Sequence, residues 1–186
     1  MTTSALKAVE LGLLKIPTND HPFKSRNGEE KKFLIDARGA GTNIALRKLI
    51  ISEMKILTKN LLGIQAICGI AKSGIMWGAW LSWELELPYA NVLLDGPRHS
   101  GLGRQIEGNI ENQKIVLVDN WVRNGVSIKK ANKILNDVGA KISGTVVITK
   151  MENIELEVDV FPVWELDDLF EAASHLKLVP NGYNFY

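Results

Sequence analysis

A chain of 186 residues that is 46% hydrophobic and 23% charged has the make-up of a globular protein with one substantial core, which excludes disorder throughout. Its 22 Lys and Arg balance 21 Asp and Glu to a net charge of +1, so no nucleic-acid partner is expected, and no apolar run approaches the ~20 residues of a membrane-spanning helix. One cysteine and three scattered histidines exclude an internal disulfide and give no metal-ligand spacing.

The first residues lack a basic start followed by an unbroken apolar stretch, so no secretory signal is read and a cytoplasmic location is expected. A short helix is predicted around Ala5 to Leu14. The polar stretch from Pro17 to Lys32, punctuated by Pro17, Pro22 and Gly28, reads as a loop or flap. Phe33 to Asp36 (FLID) is a short strand. From Thr42, the apolar positions Leu46, Leu49, Ile50, Met54, Leu57 and Leu61 recur every three or four residues, an amphipathic helix ended by Gly63. Gln65 to Ile70 (QAICGI) is a buried strand, and Cys68 within it reads as a small buried hydrophobe.

The small-residue turn AKSG follows, then a helix from Gly74 to Leu87 that Pro88 stops. Tyr89 to Leu94 (YANVLL) is strand-like. The segment from Asp95 to Gly108 holds Gly96, Gly101, Gly103 and Gly108 with little apolar content, and is expected to be mobile without ligand. Lys114 to Asp119 (KIVLVD) is a buried strand with an acid at its tip. Ser127 is the expected cap of a helix carrying Ile128, Ala131, Ile134, Leu135 and Val138 on one face, with Gly139 past its end. Gly144 to Thr149 (GTVVIT) and Val158 to Val163 are further strands, and a helix is predicted from Trp164 to His175.

Strands apolar on both faces, alternating with helices, make this an α/β chain with a central parallel sheet flanked by helices. In such sheets ligands bind beyond the carboxyl ends of the strands. AKSG, the glycine-rich segment and DNWVRNGVS all leave those ends. The last joins a buried strand to a helix start, where unpaired amides and the positive end of the helix dipole favour an anion, with Gly125 permitting close approach. The same residues also suit an ordinary capped turn. Neither a GxxxxGK[ST] nor a GxGxxG loop is present.

KIVLVDNWVRNGVS resembles the phosphoribosyl pyrophosphate (PRPP) motif of type I phosphoribosyltransferases: an apolar strand, two acids, a phosphate loop ending in Ser or Thr, then a helix. The resemblance reaches the orotate branch of that family. Phe23-Lys24-Ser25, FLIDARG (Phe33 to Gly39), GIAKSGI (Gly69 to Ile75) and RHSGLGRQIEG (Arg98 to Gly108) precede the motif in the family's order. The chain departs from the pattern at several places. Asn120 stands for the second acid, and Arg123, Asn124 and Val126 replace the usual small residues, with Gly125 and Ser127 kept in type. In the basic loop, Arg98 falls at the family's Lys, Ser100 at its His, and His99 one place off. Thr149-Lys150 replaces an Asp-Arg pair that helps bind orotate.

The resemblance implies one phosphoribosyltransferase-like domain over 1–186, with a core at about 36–150 and a small hood from 1–35 and about 155–186. It implies Mg2+-dependent transfer of ribose 5-phosphate from PRPP to a nucleobase, orotate first, in pyrimidine nucleotide synthesis by a homodimer. The backbone of Arg123, Asn124, Gly125, Val126 and Ser127 would cradle the 5′-phosphate, with Asp119 and Asn120 on the ribose hydroxyls. Ala71, Lys72 and Ser73 would face pyrophosphate. Arg98, His99 and Arg104 would close over it from a mobile loop. Lys24, Phe33, Leu34 and Lys150 are the candidates for the base. No direct protein ligand to the metal is expected, Mg2+ being held mainly by PRPP. Asn120 and the thinned basic loop favour a second reading, a PRPP- or nucleotide-binding regulator; Lys150 and Arg123 favour a transferase for a different base. Trp77, Trp80 and Trp83, spaced by three, read either as a buried helix face or as a subunit interface.

Overall fold

Val, Ile and Leu in continuous runs demand burial on both faces, and the computed structural model gives it to them in a six-stranded sheet. It describes residues 1–18, 22–24, 28–151, 155–180 and 182–186. Two compact units divide the chain: Met1–Leu49 with Trp164–Tyr186, and Ile50–Val163.

In the first unit, α1 (Thr3–Glu10) is capped by the Thr2 hydroxyl, which accepts from Ala5 N at 3.1 Å. It packs on α5 (Leu166–His175), whose first turn carries Asp167 and Asp168 and whose last turn carries His175, as the helix dipole favours. The indole of Trp164 donates to Ser4 Oγ at 3.0 Å, and the N-terminal ammonium meets Asp168 and Glu171 at 2.9 and 2.6 Å. The first helix ends four residues short of Leu14, because Gly12 at φ 91° turns the chain. Leu14 then enters β1 (Leu14–Lys15), antiparallel to β4 (Leu34–Ile35), so the FLID strand lies outside the six-stranded sheet. The stretch read as loop contains a second small pair, β2 (Phe23–Lys24) with β3 (Glu30–Lys31). Phe33 meets Phe170 and Phe185 edge-on at 5.0 and 6.4 Å, and those two stack at 4.0 Å. The division between units falls within α2 (Ile44–Lys59).

The second unit holds β5 (Ala66–Ile70), β6 (Tyr89–Val92), β7 (Ile106–Glu107), β8 (Lys114–Val122), β9 (Lys141–Lys150) and β10 (Val160–Pro162). Their order is β10-β9-β8-β5-β6-β7, parallel throughout except for β7, which runs antiparallel to β6. On one face α4 (Val126–Asn136) buries Ile128, Ala131 and Leu135 with Cys68, Ile70, Leu117 and Val147. Against the other lies α3 (Gly74–Leu85), whose backbone rests directly on β5. A Cβ at Gly78 would sit 3.2 Å from Gly69 Cα. Among the described residues no helix is long and apolar enough to cross a membrane.

Candidate functional site

The carboxyl ends of the adjacent strands β5 and β8 carry the site's fixed part. β5 leads into Ala71-Lys72-Ser73 and then α3. The start of α3 is pressed against β8: a Cβ on Gly74 would lie 2.1 Å from Val118 O. That closeness puts Ser73 beside Asp119, and its hydroxyl donates to Asp119 Oδ1 at 2.7 Å. Asp119 is 4% exposed, and the same oxygen also accepts from Asn120 N at 2.7 Å. Ala71 N donates to Val92 O at 2.9 Å, tying the turn to β6. The Ala71–Lys72 peptide is cis. The Lys72 side chain is exposed.

Asp119 was expected at the strand tip, but β8 continues three residues further, to Val122. The long β9 supplies the partner, with Trp121 opposite Thr149 and Val122 opposite Lys150. Asn120 Oδ1 accepts from Trp121 N at 2.6 Å. The loop then turns at Gly125, which adopts φ 72° and is itself the N-cap residue of α4. Ser127, expected as the cap, is the second helical residue instead. The turn's side-chain acceptor is Asn124, whose Oδ1 receives Val126 N at 3.3 Å. The first hydrogen bond of the helix runs from Lys129 N to Gly125 O at 2.9 Å, so the amides of Val126, Ser127 and Ile128 come before the ladder begins.

Asp119, Trp121, Arg123, Asn124, Gly125 and Ser127 bound a hollow of ≈150 Å3. The Arg123 guanidinium stands over the Trp121 ring, 5.6 Å from its centroid. Helix-start amides and a cation around a space of this size suit a phosphate group.

The glycine-rich segment is organised differently. Arg98, His99 and Arg104 are exposed. The returning arm is fastened where Leu93 N donates to Gln105 O at 2.9 Å and Gln105 Nε2 to Leu93 O at 3.1 Å, after which Ile106 and Glu107 form β7 on the sheet edge. Arg98 Nε meets Glu107 Oε1 at 2.7 Å, and Asn91 Nδ2 donates to Glu107 Oε2 at 2.9 Å. Reasoning from sequence passed over Glu107 and Asn91. The signal was an amide in the apolar strand YANVLL, because a buried side-chain amide needs a partner.

Of the base candidates, Lys24, Phe33 and Leu34 belong to the first unit and Lys150 to the second. Phe33 is engaged in the aromatic cluster, Leu34 is 41% exposed, and Lys24 is exposed on β2. Lys150 ends β9. Ser25 lies outside the described residues. Cys68 is fully buried, and burial pushes its thiol up to about 12. The tryptophan stripe splits: Trp77 is buried, Trp80 packs edge-on against it at 5.4 Å, and Trp83 is 83% exposed.

Among the described residues no group of three His, Cys, Asp or Glu is arranged to hold a metal. A magnesium ion whose ligands are phosphate oxygens and water asks for no such group.

A phosphoribosyl transferase domain model matches residues 47–179. The orotate phosphoribosyltransferase of Pyrococcus abyssi is 31% identical over 164 residues, covering 83% of this chain and 89% of that protein. That of Porphyromonas gingivalis is 26% identical over 178 residues, covering 91% and 84%. The crystal structure of orotate phosphoribosyltransferase from Aeropyrum pernix shares the fold, with a TM-score of 0.74 at 21% identity over 95% of this chain and 99% of that one. The matched region runs from α2 through the loop after β8 to α5, and at this identity and coverage the likeness is one of descent as well as fold: the chain belongs to the phosphoribosyltransferase family.

Proposed function

We propose that this chain transfers ribose 5-phosphate from PRPP to orotate, releasing pyrophosphate. The observation that carries the reading is the Ser73–Asp119 hydrogen bond of 2.7 Å, which joins the turn after β5 to the strand that opens the phosphate loop. A ligand with a phosphate at one end and a diphosphate at the other needs two such anion-binding turns, set by one rigid frame.

In this reading the amides of Val126 to Ile128 and the guanidinium of Arg123 take the 5′-phosphate. Asp119 and Asn120 accept hydrogen bonds from the ribose hydroxyls. Ala71, Lys72 and Ser73 receive the diphosphate, and Arg98, His99 and Arg104 cover it from the loop. As the bond from the anomeric carbon to the diphosphate oxygen breaks, a ring nitrogen of the base forms the new bond. The developing positive charge on the sugar faces the Asp119 carboxylate, and the departing negative charge faces the cations. Magnesium, held mainly by PRPP oxygens, would neutralise part of the diphosphate charge. Lys24, Phe33, Leu34 and Lys150 are the candidates for contacting the base. The 83% exposure of Trp83 supports a homodimer, because a bare indole is costly in water. A cytoplasmic location is proposed with the nucleotide chemistry.

Calorimetric titration with Mg-PRPP, followed by an assay of pyrophosphate release with orotate and a panel of other bases, tests the reading. PRPP binding and release with orotate are expected. Release only with another base would move the substrate. Tight PRPP binding without release for any base would make the chain a PRPP-binding regulator, the alternative that Asn120 favours.

A further inference from the structure

Glu107 stands where the glycine-rich segment re-enters the sheet, and both of its carboxylate oxygens are engaged. Oε1 takes Arg98 Nε at 2.7 Å. Oε2 takes Asn91 Nδ2 at 2.9 Å and Arg98 Nη2 at 3.5 Å. Asn91 is 7% exposed and lies directly across from Glu107 in the β6–β7 register. A buried amide therefore fixes the carboxylate from within, and its outward side meets the guanidinium. The segment closes on itself at the same place, with Arg98 N donating to Arg104 O at 3.3 Å and Gly103 N to Ser100 O at 3.4 Å.

A guanidinium fork binds carboxylate and phosphate with the same two-point geometry, so it serves one at a time. We infer that Glu107 is a positioning residue that holds Arg98 in the resting protein, with Asn91 as its anchor, and that Arg98 leaves Glu107 for an oxyanion of the leaving diphosphate when the segment closes. The second half of this rests on the transferase reading; the resting latch does not. Arg98 and Glu107 side chains are 60% and 33% exposed, so the pair is screened, and its loss shifts equilibria by about fivefold rather than by orders of magnitude.

The test uses the whole chain, Glu107→Gln, Arg98→Ala and the double variant. Glutamine keeps an oxygen for Asn91 and the side-chain shape while removing the charge. In the ligand-free protein, amide hydrogen exchange at Arg98 and Gly103 is expected to quicken about fivefold in Glu107→Gln, with β5 and β8 amides unchanged. In calorimetry with inorganic pyrophosphate and magnesium, Glu107→Gln is expected to bind about fivefold more tightly than the wild type. That gain should vanish when Arg98 is already alanine.

Unchanged exchange at Arg98 and Gly103 overturns the latch whatever the ligand result. Unchanged or weaker pyrophosphate binding in Glu107→Gln overturns the exchange of partners, as does a gain that persists without Arg98, which would be a general effect of charge. Quickened exchange in a protein that binds no pyrophosphate in any form upholds the latch and removes the transferase reading instead.

Discussion

The loop after β8, the proposed phosphate loop, and the glycine-rich segment before that strand both carry glycine and arginine, yet they are built on opposite principles. Around the phosphate loop, backbone rests on backbone: Gly74 touches Val118, Ser73 reaches Asp119, and Gly125 turns directly into a helix. The glycine-rich segment has such a footing where it returns, at Gly108, where a Cβ would lie 2.8 Å from Tyr89 O, while Gly96 and Gly101 have open space around them. Its side chains at Arg98, His99, Leu102 and Arg104 lie in solvent, and it is held by the Arg98–Glu107 ion pair, the paired Leu93–Gln105 hydrogen bonds, two turn hydrogen bonds and a two-residue edge strand. The first is a frame that needs no ligand to form, and the second, in the proposed function, is a cover that a ligand would settle. Preorganisation belongs to the first and adaptability to the second.

The sharpest way to break this contrast is at its glycines. Gly74→Ala forces a Cβ to 2.1 Å from Val118 O, with backbone on both sides of the clash. A loss of about 3 kcal/mol in urea denaturation is expected, with PRPP binding lost as Ser73 shifts. A stability within 1 kcal/mol of wild type would show that the frame is soft.

Next in size is the charge at the sugar. In the proposed site, Asn120→Asp keeps an oxygen for Trp121 N and would add a carboxylate beside the developing ribosyl cation, a change worth about 3 kcal/mol, or roughly a hundredfold in rate. Pyrophosphate release with orotate is expected to rise accordingly while PRPP affinity changes little. Equal rates in the two proteins would show that the carboxamide suffices.

Gly101→Ala is the counterpart on the other side. Gly101 has φ 67° and open space around it, so only the left-handed backbone opposes a side chain, at about 1 kcal/mol. A cost as large as that of Gly74→Ala would erase the distinction between frame and cover.

The smallest effect at neutral pH concerns the floor beneath the frame. The Cys68 thiol ionises near 9.0 when exposed and only at about 12 in the fold, because burial disfavours the thiolate. Between those values the unfolded chain gives up a proton that the folded chain keeps. Stability is therefore unaffected below pH 9 and falls as pH rises from 9 toward 12. Cys68→Ala should flatten that slope in denaturation curves taken across the range. Burial also raises the Tyr89 hydroxyl, which leaves a residual slope. Identical slopes with and without the thiol would mean that water reaches β5.

Much of this frame was legible in the chain itself. QAICGI, KIVLVD and GTVVIT have no polar alternation, so they could only be strands buried on both faces, and the loops at their ends followed from the rule for parallel sheets. What escaped was set by partners distant in sequence. The continuation of β8 through Asn120, Trp121 and Val122 depends on the length of β9, which no local pattern in DNWV reveals. Ser127 has the right chemistry for a cap, but the left-handed turn at Gly125 takes that position two residues earlier. The Asn91–Glu107–Arg98 arrangement needs β7 to fold back beside β6, a pairing across 16 residues between an asparagine and a glutamate that look unremarkable apart.

The ring of Trp121, with Arg123 above it, has a practical meaning as well. Indole emission responds to a nearby cation, and this indole is part of the hollow's wall. A phosphate that draws Arg123 toward itself would change the electronic surroundings of a fluorophore a few ångströms away, while Trp77 and Trp164 are sealed in the core. In the proposed function the loop thus carries its own optical gauge, and occupancy of the site would be followed in the unlabelled protein by light alone.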